Sequence, residues 1–524
     1  MPRSSKRNQV LSPLRPWHWF VLAAAVPFVH CANRLNLDLW YDEIYTIEIF
    51  LRSGPAFIVS DYHVPNNHVL FSLVEWPFYC VSDSNFVLRL PSFLFMLGTL
   101  VVVFRLALRL GGLVCAVLST ALLGLNQMFL IFAIQVRGYS MSMFLAACLA
   151  SLSVSPTAGF AWRRLTAVVL LGAGFLYVLP TNVLFFLPIG GLAIGMAAIR
   201  QSRKLTVVEA LAWALAAALA AVCYLPILDQ IRKVSESSSP SSWSYLPTIA
   251  GNFFRPATHD FVWFAPAVLL GLLGWVGPKE SERRRDWTMP LLCGGVTLGA
   301  FLLTGLLRIS PFERVYCPLL VFLALAGGWL LAELSLAVRR RFASFASAEA
   351  VAAVALAAVS AAVWPQLWTY PQRLEQHRDE FAAEHPWPQS SGWPLEDGYY
   401  CYYAANYRPS AVVNYLLGEQ LGQFGYRVCW TEADHRNLWY HFYKVGLPRG
   451  RRPPAGADRL MTYAVVPEPP QWNRLAKECE LTDEEIEAFQ LVGDFGYYRL
   501  YRQLQTASPN KQADPPGASP SSNH

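Results

Sequence analysis

Long apolar runs separated by short polar clusters fill the first two thirds of the chain. They fall at residues 17–35, 86–108, 113–132, 139–154, 165–179, 183–199 and 205–228, then at 261–276, 287–307, 315–338 and 350–368. A straight span needs about 20 apolar residues, so the pattern predicts about eleven transmembrane helices with soft boundaries. One further run, 69–81, is shorter and carries Glu75 and Pro77.

The basic residues decide which runs cross. Clusters stand at Arg105/Arg109, Arg163/Arg164, Arg200/Arg203/Lys204, Lys279/Arg283/Arg284/Arg285 and Arg339/Arg340/Arg341. With the basic N-terminus (Arg3, Lys6, Arg7, Arg15) inside, all five lie inside only when 69–81 does not span. That run is therefore predicted to be a helix lying in the outer interface. The start of the chain resembles a signal peptide, but no small-residue cleavage site precedes Asn33, so it reads as an uncleaved first span. The expectation is a multi-pass protein of the cytoplasmic (inner) membrane with a cytoplasmic N-terminus. Residues 36–85, 135–137, 180–182, 229–260, 308–314 and everything past about 370 are then extracytoplasmic. Within 229–260 the Ser-rich stretch 235–244 reads as a loop.

The pattern changes after the last run. Residues 371–505 are rich in Tyr, Trp and charge, with short alternating stretches at 460–466 and 496–501 that predict strands. Residues 482–490 predict a helix, with Asp483, Glu484 and Glu485 in its first turn, favourable to the helix dipole. The expected organisation is a transmembrane domain over 1–370, a small soluble α+β domain over 371–505, and a disordered Pro/Ser-rich tail over 506–524.

Composition supports this division. Apolar residues make up 54% of the 524 positions and charged residues 15%, where a soluble chain carries about a quarter charged. The net charge of +6 comes mostly from the short clusters and forms no basic, aromatic-interleaved patch, which excludes nucleic acid as a partner. The ten cysteines include no CxxC pair. Cys401–Cys429 is a candidate disulfide if the C-terminal domain lies outside the cytoplasm.

Four polar stretches carry candidate chemistry, and all are predicted on the outer side. Leu39-Trp40-Tyr41-Asp42-Glu43 sets two carboxylates just past the first span; acids there also suit a plain helix N-terminus. Asp61-Tyr62-His63-Val64-Pro65-Asn66-Asn67-His68 precedes the interfacial helix. It reads either as a polar loop in which Asn67 or His68 caps that helix, or, through its histidines and acid, as part of a divalent metal site with Asp42 and Glu43. Gln135-Val136-Arg137-Gly138-Tyr139 puts an arginine against the positive-inside trend, either snorkelling or paired with an anionic phosphate. In Pro311-Phe312-Glu313-Arg314-Val315-Tyr316, Glu313 and Arg314 can pair with each other. Glu75 and Arg89 read equally well as structural.

Taken in order, these pieces resemble the GT-C superfamily of membrane glycosyltransferases, in particular the bacterial branch with the aminoarabinose transferases and protein O-mannosyltransferases. Trp40-Tyr41-Asp42-Glu43 is similar to its W-x-D-E. Asn66-Asn67-His68-Val69-Leu70 loosely follows its N-H-P-P-L, without the paired prolines. Arg89-Leu90-Pro91-Ser92 matches R-L-P-S, Gln135-Val136-Arg137-Gly138-Tyr139-Ser140 matches Q/E-x-R-x-Y-S, and Glu313-Arg314-Val315-Tyr316 partly matches E-R-Y. The resemblance covers about the first 340 residues. It implies a GT-C-like fold and transfer of a hexose or pentose from a polyprenyl-phosphate-sugar donor to a glycan, lipid or protein acceptor, with inversion. It implies Asp42 as the base, with Glu43 positioning the acceptor or a metal. His68, Arg137 and Arg314 would hold the donor phosphate, with Asn67, His63, Tyr139 and Glu313 close by. The acidic residue some relatives carry in the second outward loop is replaced here by Gln135 or Arg137, which weighs against a two-carboxylate metal site.

Two other classes fit the same pattern in part. A transporter or lipid flippase of cell-envelope glycan assembly would share the lipid contacts, but it calls for ionisable groups at mid-span, and the runs here are nearly free of charge. A non-catalytic scaffold is opposed only by the ordered motif set.

Overall fold

In the computed structural model of the chain the described residues are 15–154, 162–200, 203–238, 287–307, 313–341, 408–419, 425–431, 435–448, 450–451, 459–467, 472–495 and 498–506, with scattered positions between 247 and 361. The chain divides into two compact units. The first is Met1–Asn36 with Tyr45–Tyr370, and the second is Leu37–Ile44 with Pro371–His524.

The first unit is helical. Helix α1 (Pro16–Ala32) is followed in the chain by α2 (Tyr41–Tyr45), all but the last residue of which belongs to the second unit, and then by a π-helical turn, Thr46–Leu51. Then come α3 (Pro55–Ser60), α4 (Val69–Val81) and α5 (Asn85–Gly124). The run at 69–81 is thus a thirteen-residue helix with the expected ends, about 20 Å long at 1.5 Å per residue and too short to cross a bilayer upright.

Helix α5 is two arms. Gly112 sits at φ +82°, a backbone conformation that glycine adopts without a Cβ penalty. Phe20 packs on Phe104 and Phe28 on Phe93, with ring centroids 5.4 and 5.6 Å apart, so α1 runs antiparallel to the first arm. A Cβ on Gly124 would meet Pro27, and Cys31 Sγ lies 3.8 Å from the Leu130 carbonyl, so the chain beyond Gly112 runs alongside α1 in the same direction. The hairpin explains why the sequence shows two apolar runs there. Asn126 ends it by capping α6 (Gln127–Phe132), accepting from Phe129 N at 2.9 Å.

The bundle continues with α7 (Tyr139–Ser153), α8 (Trp162–Val178), α9 (Val183–Arg200), α10 (Arg203–Tyr224) and α11 (Leu228–Ser238), and then α12 (Thr288–Leu306) and α13 (Cys317–Arg341). Small residues let the helices approach closely. The Cβ of Ala216 on α10 lies 2.9 Å from where a Cβ on Gly172 of α8 would stand, and Gly328 of α13 lies directly on Ser119 of α5. The outward face of α10 carries Val207, Leu211, Leu215, Leu219 and Val222, all exposed. That stripe of apolar side chains is a lipid-facing surface. Opposite it, Glu209 is buried and accepts from both terminal nitrogens of Arg164 at 2.5 and 3.1 Å and from Trp213 Nε1 at 3.1 Å.

The chain is a polytopic helical membrane protein. Among the described residues five helical stretches are long and apolar enough to cross a membrane: Asn85–Gly124, Pro180–Ile199, Arg203–Val234, Thr288–Leu306 and Arg314–Ser335. The runs at 17–35, 139–154 and 165–179 form helices of 15 to 17 residues. The run at 261–276 and most of 350–368 lie outside the described residues. One expectation fails: the loop predicted from Asp229 is helical through Ser238, because Leu228–Ser238 is strongly amphipathic and its serines sit at the helix end.

The second unit holds a five-stranded sheet: β1 (Gly425–Cys429), β2 (Gly450–Arg451), β3 (Arg459–Pro467), β4 (Gln490–Phe495) and β5 (Tyr498–Thr506), in the order β2-β1-β3-β5-β4. Strands β1 and β3 are parallel, and the other pairs antiparallel. A parallel pair needs a crossover, and α15 (His435–Lys444) lies in it, after α14 (Pro409–Gly418). Cys429, Ala464, Val466, Leu475 and Cys479 form a core between the sheet and α16 (Trp472–Cys479). The helix expected over 482–490 is shorter, α17 (Asp483–Glu487), because β4 begins at Gln490; Thr482 and Glu485 cap each other at its start. Cys401 lies outside the described residues, and so does the tail expected over 506–524 except Thr506, which ends β5 instead.

Candidate functional site

Two residues of the Arg-Leu-Pro-Ser segment shape the region. Arg89, buried in α5, donates from Nη1 to the carbonyls of Arg34 and Leu35 at 3.2 and 3.5 Å. Ser92 Oγ donates to the Gln135 carbonyl at 2.5 Å. These residues do scaffold work, gathering the chain after α1 and the turn before α7 onto one end of α5. That turn is tight, with Arg137 N donating to Gln135 O at 2.6 Å.

The turn delivers Arg137 into the interior. Its side chain is only 2% exposed. Nη1 donates to Asn66 Oδ1, and Nη2 donates to the Tyr139 hydroxyl at 3.2 Å. The guanidinium carbon lies 5.3 Å from the centre of the Tyr139 ring, and a buried cation gains from such a π face. Asn67 holds the opposing loop by donating to the carbonyls of Ile58 and Asp61, both at 2.8 Å.

His68 completes the cluster, and its proton can be placed. The Gly138 backbone N–H donates to Nδ1 at 2.7 Å, so Nδ1 carries no proton. Burial first, and the charges of Arg137 and Arg314 next, hold the ring well below its ordinary pKa, so it is neutral. The proton of the neutral ring is then on Nε2. That N–H stands 3.2 Å from Arg137 Nη2, itself a donor. Two donors do not bond each other, but one acceptor can take a hydrogen from both. The Gly138–His68 contact also needs glycine, since a Cβ there would come within 2.9 Å of His68 Nδ1 and 2.6 Å of Val178 Cγ1.

His68, Arg137 and Tyr139 are in direct contact, and Arg314 is near enough to act on His68 electrostatically. His68 occupies the N-cap position of α4, but its side chain does not cap that helix, being committed to Gly138. Asn67 does not cap it either. The side chain of Glu313 lies outside the described residues. His63 is exposed; its Nδ1 pairs with Asp61, and its Nε2 lies 2.6 Å from the Tyr45 hydroxyl. Asp42 and Glu43 belong to the second unit, where Glu43 Oε2 accepts from Trp40 N at 2.7 Å and so caps α2. Among the described residues no three His, Cys, Asp or Glu side chains gather as a metal cage would require.

Sequence reasoning missed Asn66 and Gly138. Asn66 had a signal, since it begins the Asn-Asn-His segment that was singled out. Gly138 had none beyond its place in the arginine motif, because a close approach between distant segments leaves no local trace.

Among known proteins, no protein-family model matches the sequence, and no curated protein matches it. Among solved structures, the chain is similar to the crystal structure of ArnT from Cupriavidus metallidurans bound to undecaprenyl phosphate. Identity is 15%, coverage is 93% of this chain and 98% of that one, and the TM-score is 0.47. For the same protein in the apo state the values are 14%, 93%, 98% and 0.46.

Proposed function

We propose that this chain is a GT-C-type membrane glycosyltransferase, transferring a sugar from a polyprenyl-phosphate donor to a glycan, lipid or protein acceptor, with inversion, on the outer face of the cytoplasmic membrane. The observation that carries this reading is the pair of donors, His68 Nε2–H and Arg137 Nη2, set 3.2 Å apart in a buried setting. A phosphate oxygen accepts from both, and Arg314 adds a second positive charge.

The chemistry follows from that site. As the acceptor hydroxyl attacks the anomeric carbon, the bond to the phosphate oxygen breaks and negative charge returns to the lipid phosphate. Donors already in place stabilise that charge where it develops, so the departing phosphate needs no acid. The attacking hydroxyl must lose its proton, and the motif resemblance assigns that role to the Asp42 carboxylate. One displacement inverts the anomeric centre. Glu43, already holding Trp40 N, is read as a support for Asp42.

Mass spectrometry of surface glycans and glycolipids tests the reading. Cells lacking the protein should lose one sugar modification, restored by the wild-type chain and not by Asp42→Asn. Full restoration by Asp42→Asn would favour a flippase, which needs the phosphate site but no base.

A further inference from the structure

The segment with Asp42 and Glu43 lies 327 positions ahead of Tyr370 (370 − 43), the last residue of the first unit, yet Leu37–Ile44 folds with the C-terminal residues. The link is specific. Asp38 Oδ2 accepts from the Ser410 backbone N–H at 3.0 Å and from Ser410 Oγ at 2.7 Å. Ser410 is the second residue of α14 (Pro409–Gly418). Asp38 thus acts as a cap supplied from elsewhere in the chain, satisfying an amide that the helix leaves unbonded and placing a negative charge at its positive end.

The rest of the segment is held as firmly. Leu39 and Ile44 are fully buried. Glu43 closes the first turn of α2 onto Trp40 N at 2.7 Å. Asp38 also lies close enough to the buried His441 of α15 to act on its charge. Asp42 follows Asp38 by four residues, on a one-turn helix whose approach is fixed by the Asp38–Ser410 clamp and whose start is fixed by Glu43.

We propose that the C-terminal unit serves catalysis by holding the Asp42 segment, with Asp38 as the positioning residue that acts through Ser410. The proposal rests on Asp42 being the base. It gives the soluble unit a task inside the reaction cycle, separate from any grip on an acceptor.

The test uses the full-length protein and three readouts: hydrogen exchange of the peptide over 37–44, binding of undecaprenyl phosphate, and the glycan product in cells. Asp38→Ala removes both hydrogen bonds. It should raise exchange over 37–44 about tenfold or more, the effect of losing roughly 1.4 kcal/mol. Product should fall by a similar factor, with undecaprenyl phosphate binding within about twofold of wild type. Asp38→Asn keeps a carbonyl oxygen that can accept from Ser410 and should restore most of the product; Ser410→Ala, which keeps only the backbone donor, should fall between. Wild-type exchange and product in Asp38→Ala, with Asp42→Asn inactive, would overturn the clamp and leave the base assignment standing. Full product in Asp42→Asn would remove the base assignment, and the exchange result would then judge the clamp alone. If Asp38→Ala does not fold, a product level in Asp38→Asn no better than in Asp42→Asn counts against the proposal.

Discussion

The Gly138 backbone N–H donates to His68 Nδ1 at 2.7 Å, and that one bond fixes where the imidazole proton sits. With Nδ1 occupied, Nε2 carries the hydrogen beside Arg137. Two substitutions separate the roles of the ring. His68→Asn places an oxygen near Nδ1 and can still accept from Gly138, but it has no donor at Nε2. It should fold normally and lose phosphate affinity. His68→Ala leaves a buried N–H unsatisfied, costing about 1–3 kcal/mol. Thermal melts and lipid-phosphate binding, measured together, check both.

Gly138→Ala should behave like a damaged site rather than a damaged fold. The added methyl would stand within 3 Å of His68 and Val178, and relief by moving His68 breaks the donor pair. The expected result is a loss of phosphate binding of about tenfold or more, with a stability loss of about 1–3 kcal/mol from overpacking. Wild-type binding in this variant would show that the His68 position does not matter.

Glu43 and Asp42 should separate cleanly. Glu43→Gln keeps an oxygen for Trp40 N and should retain most activity, whereas Glu43→Ala loses the cap at a cost of about 1 kcal/mol. Asp42→Asn should abolish product without changing the melt. Product measured across the three variants decides between a capping and a chemical role for each carboxylate.

The Arg164–Glu209 pair tests the bundle apart from the site. Glu209 is 3% exposed and Arg164 15%, so removing one partner strands a buried charge. Arg164→Met should cost about 3–5 kcal/mol, while the double change to apolar residues should recover much of that loss. Chemical denaturation in detergent measures it.

The pH dependence of the second unit has a defined sign. Burial lowers the pKa of His441 from 6.5 to about 4, with Asp38 opposing the shift and Lys444 adding to it. The unfolded chain therefore takes up a proton between pH 6.5 and 4 that the folded chain refuses. Stability should fall as pH drops through that window and hold steady above it. His441→Gln should flatten the slope; an unchanged slope would place the titrating group elsewhere.

Much of the architecture was legible because lipid imposes a strong pattern. The apolar run at 69–81, which the basic clusters predict to lie in the outer interface, is a helix with the expected ends, α4. The interruption between 108 and 113 marked the Gly112 reversal. Strands at 460–466 and 496–501 correspond to parts of β3 and β5. Where the reading failed, tertiary contact or amphipathic pattern outweighed local composition. Ser235–Ser238 looked like loop residues and finish a helix. The site was half legible. Arg137 stood out as a cation against the expected charge pattern, and His68 as part of a polar segment, but the bond from Gly138 joins residues 70 positions apart. The grouping of residues 37–44 with a unit that resumes at Pro371 had no sequence signature, because contacts such as Asp38–Ser410 join segments far apart in the chain.

If the His68–Arg137 pair receives a lipid phosphate, undecaprenyl phosphate should bind the purified full-length protein through it. The wild-type chain should bind, and Arg137→Gln should weaken binding about a hundredfold, the loss of roughly 2.7 kcal/mol from charge-assisted bonds. Arg137→Lys should fall between, keeping the charge without the two-pronged geometry. Equal affinity in wild type and Arg137→Gln, or no binding by the wild type, would mean that the pair does not hold a lipid phosphate.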